Sequence, residues 1–105
     1  MIAKTPEPPY YAVIFTTLRT PGDNGYSDMA EKMEKLVEKQ PGFLGYESAR
    51  EGLGITVSYW KDEESIRNWR ENEQHLFARK KGYEVWYSKF RLRVAKVERE
   101  YGFEM

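Results

Sequence analysis

The sequence contains no cysteine, which removes disulfides, thiolate metal sites and cysteine nucleophiles together. Histidine is nearly absent as well: His75 stands alone. With no clustered carboxylate spacing beside it, the pattern argues against a structural or catalytic metal site. Net charge is missing too, since 17 Lys plus Arg balance 17 Asp plus Glu. Basic and acidic residues alternate, so no one-signed face points to nucleic acid or to an anionic membrane. No apolar run is long enough for a transmembrane helix. The first nine residues carry Pro6, Pro8 and Pro9 and no apolar segment of signal-peptide type, so a cytoplasmic protein is the expectation. A phosphate loop is lacking, because Gly52-Leu53-Gly54 falls between two strands rather than before a helix. No G-x-S-x-G element for acyl transfer exists either.

Aromatic side chains are what the chain has in abundance: eight Tyr, five Phe and three Trp, 15% of 105 residues. In so short a chain, expected to form one domain over residues 1–105, rings serve first as core and subunit interface. The same rings also suit a pocket for a flat organic ligand.

Residues 1–9 read as an extended N-terminal arm. Tyr10 to Arg19 (YYAVIFTTLR) is rich in aromatic and β-branched residues, as a strand is. Tyr11, Val13 and Phe15 fall on one of its faces and Ala12, Ile14 and Leu18 on the other. A strand covered on one face only alternates with polar residues, so this pattern predicts a cover on both, the second from a partner subunit. Turn residues follow at Pro21 to Gly25. Met29, Ala30, Met33, Leu36 and Val37 then recur at helical spacing, predicting a helix from near Ser27 to before Pro41. Phe43 to Glu51 and Leu53 to Lys61 form two strands of a hairpin turning at Gly52. Asp62 suits an N-cap, with Glu63 and Glu64 in the first turn. That helix carries Ile66, Trp69, Leu76 and Phe77, with a kink or break expected near Asn72 and an end before Gly82. Tyr83 to Tyr87 has no assignment. Ser88 to Glu100 is a last strand with Phe90, Leu92 and Val94 on one face; a parity switch to Ala95 and Val97 suggests a β-bulge there. This long strand is the element expected to reach towards a partner. The order β-α-β-β-α-β is the split βαβ arrangement of ferredoxin-like α+β domains with an antiparallel sheet.

His75 is the one side chain whose intrinsic pKa suits proton transfer near neutrality. On a helical wheel it lies about 60° from Asn72 and about 120° from Trp69. Trp69, Asn72, His75 and Arg79 thus share a flank beside the apolar stripe, where a pocket mouth is expected. The competing reading is an ordinary exposed or capping histidine, with Trp69 as plain core. Tyr59 and Trp60 close the third strand, one facing the helices and the other away. Trp86 and Tyr87 suit a pocket lid or an interface anchor. Arg91 and Arg93 fit a solvated or interface face, or less simply a site that stabilises an enolate or phenolate oxygen.

The runs PGFLGYES (Pro41 to Ser48), ITVSYWKDEESIRNWRENEQH (Ile55 to His75) and ARKKGYEVWY (Ala78 to Tyr87), with YYAVIF near the start and VAKVEREYGF near the end, resemble the antibiotic-biosynthesis-monooxygenase (ABM) type domain family. The resemblance implies a dimeric α+β barrel: a homodimer of two sheets packed face to face, with one intrasubunit pocket for a small aromatic ligand. Characterised relatives include oxygenases that oxidise polycyclic phenols or quinols with molecular oxygen and no metal or flavin cofactor. On this chain the resemblance points to Trp69, Asn72 and His75 as catalytic candidates and to Trp60, Tyr59, Arg79 and Trp86 as substrate-binding ones. The competing function is a non-catalytic dimeric small-molecule-binding or stress-response protein. Other relatives bind and degrade haem through a histidine about ten residues past the tryptophan. Arg79 occupies that position here, and the first strand has no asparagine, so the haem branch fits less well.

Overall fold

A computed structural model describes residues 1–105. Strand β1 (Tyr10–Arg19) leads to helix α1 (Tyr26–Val37), then to strands β2 (Phe43–Glu51) and β3 (Leu53–Trp60). Helices α2 (Glu63–Arg70) and α3 (Glu73–Lys81), a π-helical turn at Gly82–Trp86 and strand β4 (Tyr87–Val97) complete the chain. The four strands form one antiparallel sheet in the order β2-β3-β1-β4. This is the ferredoxin-like α+β fold expected from the sequence.

Local chemistry sets the boundaries. Asp62 caps α2, its carboxylate accepting from the Ser65 amide at 2.8 Å. The Ser65 hydroxyl first, and then its amide, hold the Asp62 carboxyl below its ordinary range. The expected break near Asn72 is a change of helix: Asn72 caps α3, with Oδ1 accepting from the Gln74 and His75 amides at 3.0 and 3.1 Å. A side chain that satisfies two orphan amides favours a new helix start over continuation of the old one. Gly42 (φ +82°) turns the chain into β2, and a Cβ there would overlap the Ser65 side chain.

The register sorts side chains onto two faces. Val13, Phe15 and Thr17 of β1 share the helix-covered face with Thr56, Ser58 and Trp60 of β3 and with Phe90, Leu92 and Val94 of β4. Ala12, Ile14 and Leu18 share the opposite face with Leu53, Ile55, Val57 and Tyr59, and no helix lies on it.

Two expectations about β4 are corrected. Its pairing with β1 is unbroken from Val97 to Lys89, so Val94 and Ala95 carry no bulge. The irregularity lies at the other end, where Leu18 pairs with Lys89 and Arg19 with Tyr87, leaving Ser88 as the extra residue. That residue resets the alternation. Tyr87 therefore joins Phe90 on the helix-covered side instead of sharing a face with Arg91 and Arg93. The strand also ends at Val97, and residues 98–105 lie beyond it without helix or strand.

Candidate functional site

Between the helices and the sheet lies a cavity of about 540 Å³. Its volume is within the range of small-molecule pockets. Rings gather at its two ends. At one end Phe43 meets Trp60 edge-on (5.3 Å), Trp60 stacks with Trp69 (6.5 Å), and Trp69 lies face to face with His75 at 4.1 Å and 12°. At the other, Tyr26 packs edge-on against Trp86 and Tyr87, and Phe15 against Tyr87, with Phe90 and Tyr83 behind.

Each ring is held by the fold beneath it. Trp60 is 1% exposed, and its indole N–H donates to Ser58 Oγ at 2.9 Å across one strand pleat. Trp86 closes the π-helical turn, donating its indole N–H to the Asn24 carbonyl at 2.9 Å. Its own carbonyl accepts from the Thr20 amide and from the Arg19 guanidinium, both at 2.9 Å. A π-helical turn lets one extra residue enter the helix end, and here it swings Trp86 inward.

His75 carries the most perturbed chemistry. Its backbone is fixed by Asn72, and its ring is clamped flat against Trp69. Nδ1 lies 2.9 Å from the Trp69 carbonyl oxygen. A neutral imidazole facing a carbonyl must carry its proton on that nitrogen, so Nε2 presents a free lone pair. Burial pushes its pKa down to about 4; the nearby Arg79 guanidinium acts in the same direction, and the Trp69 bond partly opposes both. The ring is therefore a neutral hydrogen-bond acceptor at physiological pH.

Of the seven residues singled out from the sequence, Trp60, Trp69, His75, Arg79 and Trp86 line this cavity. Asn72 does not line it; its amide oxygen is committed to the α3 cap. Tyr59 is on the other side of the sheet, its hydroxyl donating to Glu47 Oε1 at 2.5 Å and its ring edge-on to Tyr10. Burial and Glu47 together push its pKa up to about 12. Sequence reading missed Tyr26, Tyr46 and Phe43, which line the cavity. Simple alternation would set Phe43 and Tyr46, three residues apart, on opposite faces; a register shift between Phe43 and Gly45 turns both to the cavity, which the sequence pattern does not show.

The charged lining is lopsided, with Arg70 and Arg79 against Glu34. Glu34 is engaged with the Tyr46 hydroxyl, whose pKa is raised by burial and by this carboxylate. No group of three or more His, Asp or Glu side chains is placed to hold a metal ion, and no helix is long and apolar enough to cross a membrane.

A ferredoxin-like α+β domain with a ring-lined cavity between sheet and helices is the class this geometry defines. Residues 9–81 match the family model described as antibiotic biosynthesis monooxygenase, and the chain belongs to that family. It is 51% identical over 105 residues to the uncharacterized protein YqjZ of Bacillus subtilis (strain 168), covering 98% of this chain and 92% of that one. Over 92 residues it is 32% identical to the jasmonate monooxygenase ABM of Pyricularia oryzae, covering 83% of this chain. There it spans 43% of the relative's length. Among solved structures, Rv0793 from Mycobacterium tuberculosis superposes with a TM-score of 0.77 at 14% identity, over 89% of this chain and 99% of that one. SnoaB, a cofactor-independent oxygenase from Streptomyces nogalater (a mutant form), gives a TM-score of 0.75 at 10% identity, over 87% and 95%. At such identities these two likenesses speak for the fold alone.

Proposed function

We propose that this protein is a cofactor-independent monooxygenase of the cytoplasm that acts on an aromatic phenol- or quinol-type small molecule, held in the cavity of each subunit of a homodimer. The observation that carries the reading is a single neutral imidazole, clamped on Trp69 with Nε2 free, in a ring-lined cavity of about 540 Å³. The 32% identity over 92 residues to the jasmonate monooxygenase of Pyricularia oryzae supports an oxygenase chemistry.

In this scheme Trp69, backed by the buried Trp60, borders the substrate's flat rings, and Nε2 of His75 accepts the proton of its hydroxyl. Removing that proton leaves an anion beside the imidazole, which restores basicity lost to burial; Arg79 supplies the counter-charge. The electron-rich anion reduces molecular oxygen, and a carbon–oxygen bond forms at the ring carbon. The resulting hydroperoxide loses water as the carbonyl forms. A CH2 carbon and O2 become C=O and H2O, with all four electrons coming from the substrate. The walls keep bulk water away from these intermediates. Asn72 acts one step back, as the cap that fixes His75.

The dimer is supported by the uncovered sheet face, where Leu18, Leu53 and Ile55 remain 40%, 47% and 41% exposed. A second sheet laid on this face would remove that surface from water.

The second reading, a non-catalytic dimeric binding protein, draws support from the same histidine: a pKa near 4 makes a weak base. The donor set of the haem-degrading branch does not match, because its histidine position holds Arg79, whose guanidinium donates to the Arg70 carbonyl at 3.2 Å.

Oxygen uptake by metal-stripped protein against hydroxylated naphthalenes and anthracenes decides between them. The oxygenase reading expects protein-dependent uptake that falls about 100-fold or more in His75→Ala. Tight binding of the same compounds without uptake, unchanged in His75→Ala, would transfer the assignment to the binding protein.

A further inference from the structure

The end of the cavity remote from His75 contains donors the protein does not use itself. Tyr26 and Tyr87 bring their hydroxyls together there, and burial first, then Tyr26, holds the Tyr87 phenol protonated far into the alkaline range. Two O–H groups facing each other can satisfy one donor between them, so one proton is left over. The other bonded tyrosines have acid partners: Tyr10 donates to Glu100 at 2.5 Å, Tyr59 to Glu47, and Tyr46 meets Glu34. No carboxylate serves the Tyr26–Tyr87 pair.

The charges that bear on Tyr87 are those of Arg50 and Arg19, the latter also within reach of the Asp23 carboxylate. The Arg19 guanidinium stacks 3.9 Å over the Tyr26 ring. Arg50 reaches across β3, where Gly54 has no side chain to block it, and donates to Thr17 Oγ1 on β1. A Cβ on Gly54 would overlap that guanidinium. Although Arg50 as a whole is exposed, its charge reaches Tyr87 and favours an anion there. It has no carboxylate partner, since the chain's ion pairs are Lys35–Glu31 and Lys80–Glu84.

The placement of Tyr87 depends on two further features. The extra residue Ser88 turns it to this side of the sheet, and Gly82 makes room for its ring, which lies 3.0 Å from where a Cβ would be. Gly82 has ordinary helical torsions (φ −57°, ψ −49°), so its lack of a side chain serves the close approach and not the backbone.

We propose that the Tyr26–Tyr87 pair, backed by Arg50 and Arg19, is a subsite for an acidic group of the ligand. This rests on the cavity being the ligand site and narrows the substrate class to a flat apolar ring system bearing one carboxylate or comparable acidic oxygen. Tyr11, opposite Trp60, and Arg19, opposite Tyr87, mark opposite ends of β1. The subsite therefore lies at the end of the cavity remote from His75.

The probes are 2-naphthoic acid and its methyl ester, titrated by fluorescence at neutral pH without turnover. The native protein is expected to bind the acid about tenfold tighter than the ester, the scale of a charge-assisted hydrogen bond. That ratio falls to near one in Tyr87→Phe and Arg50→Gln and survives in Arg79→Gln, at the His75 end. Gly82→Ala, whose torsions suit alanine, keeps the fold by circular dichroism but loses the acid preference as the Tyr87 ring is displaced. Equal affinity for acid and ester, binding of neither probe, or a preference abolished by Arg79→Gln and untouched by Tyr87→Phe overturns the subsite. An acid preference without oxygen uptake upholds it and counts against the oxygenase reading alone.

Discussion

The helix-covered face of the sheet carries rings and hydroxyls, whereas its open face carries branched aliphatic residues. On the covered face the polar groups are paired with one another: Trp60 with Ser58, Ser48 with Thr56 at 2.8 Å, Arg50 with Thr17. On the open face Ile14, Leu18, Leu53, Ile55 and Val57 form an apolar centre. Charged groups flank it: Lys89, Arg91 and Arg93 of β4 pair beside Leu18, Thr16 and Ile14, while on the other side Tyr59 meets Glu47, Tyr10 meets Glu100, and the N-terminal arm adds an Ala3 amide bond to Glu47 at 3.0 Å. Neither face is fully packed within one chain: only eight of 105 residues are buried. The same deficit has two different remedies. Rings and placed donors around a void suit a small ligand; an aliphatic centre rimmed by charged side chains suits another protein surface.

Changing the covered face at its most buried point should have the largest effect. Trp60→Ala removes the one large side chain that is 1% exposed, and with it the contacts to Phe43 and Trp69. A loss of about 3–5 kcal/mol is expected, read as a lower urea midpoint, along with collapse of the His75 end of the cavity. If Trp60→Ala left stability unchanged, the covered face would not be the core.

The open face should respond in association and not in folding. Ile55→Lys places a charge at the centre of the aliphatic patch, on an inner strand. Sedimentation should show the dimer weakened about 100-fold, near 3 kcal/mol, while thermal unfolding of the protomer barely moves. A native chain that sediments as a monomer at micromolar concentration would remove the dimer and the contrast with it.

How much of this was legible in the sequence follows the same divide. Element order, the Asp62 cap and the break at Asn72 were readable because local chemistry writes them: a carboxylate before two glutamates, an amide where the apolar spacing stretches. The two-faced apolar pattern of β1 was readable because strand alternation is local as well. The π-helical turn and the Ser88 irregularity were not, since a one-residue insertion leaves no periodic trace in so short a run. The visible parity switch at Val94–Ala95 misled for a related reason: the open face near the strand's end takes Ala95 and Val97 without any break in pairing. Trp69, His75 and Arg79 could be placed on one flank from spacing alone, while spacing left open which of Tyr59 and Trp60 faces the helices; Tyr26 and Tyr87 come together only in three dimensions.

Acid should expose the covered face next. His75 has a folded pKa near 4 against an ordinary 6.5, so the unfolded chain takes up the proton first as pH falls. The stability tied to the neutral ring is complete above pH 6.5 and is lost progressively down to pH 4. Because solvent reaches part of the ring, the loss should be about 2 kcal/mol rather than the full value of the shift. Urea melts at pH 7 and pH 4.5 should show the native protein losing that much more than His75→Gln. Equal losses would mean that the imidazole is solvated and the cavity open at that end.

The smallest effect belongs to the margin of the open face. Tyr59→Phe deletes the bond to Glu47 but leaves that carboxylate its Ala3 amide, so no charge is orphaned and the cost should be about 1 kcal/mol at neutral pH. Its pH dependence runs opposite to that of His75. The folded pKa of Tyr59 lies near 12, above the ordinary 10; the stability it contributes is present below pH 10 and lost as pH rises towards 12. Tyr59→Phe should therefore be less sensitive than the native protein to alkali between pH 10 and 12, and no less sensitive to acid. It should leave ligand binding unchanged, because the residue lies across the sheet from the cavity. Weakened ligand binding in this variant would mean that the two faces are coupled through β3, and that the division between a ligand face and a protein face is too simple.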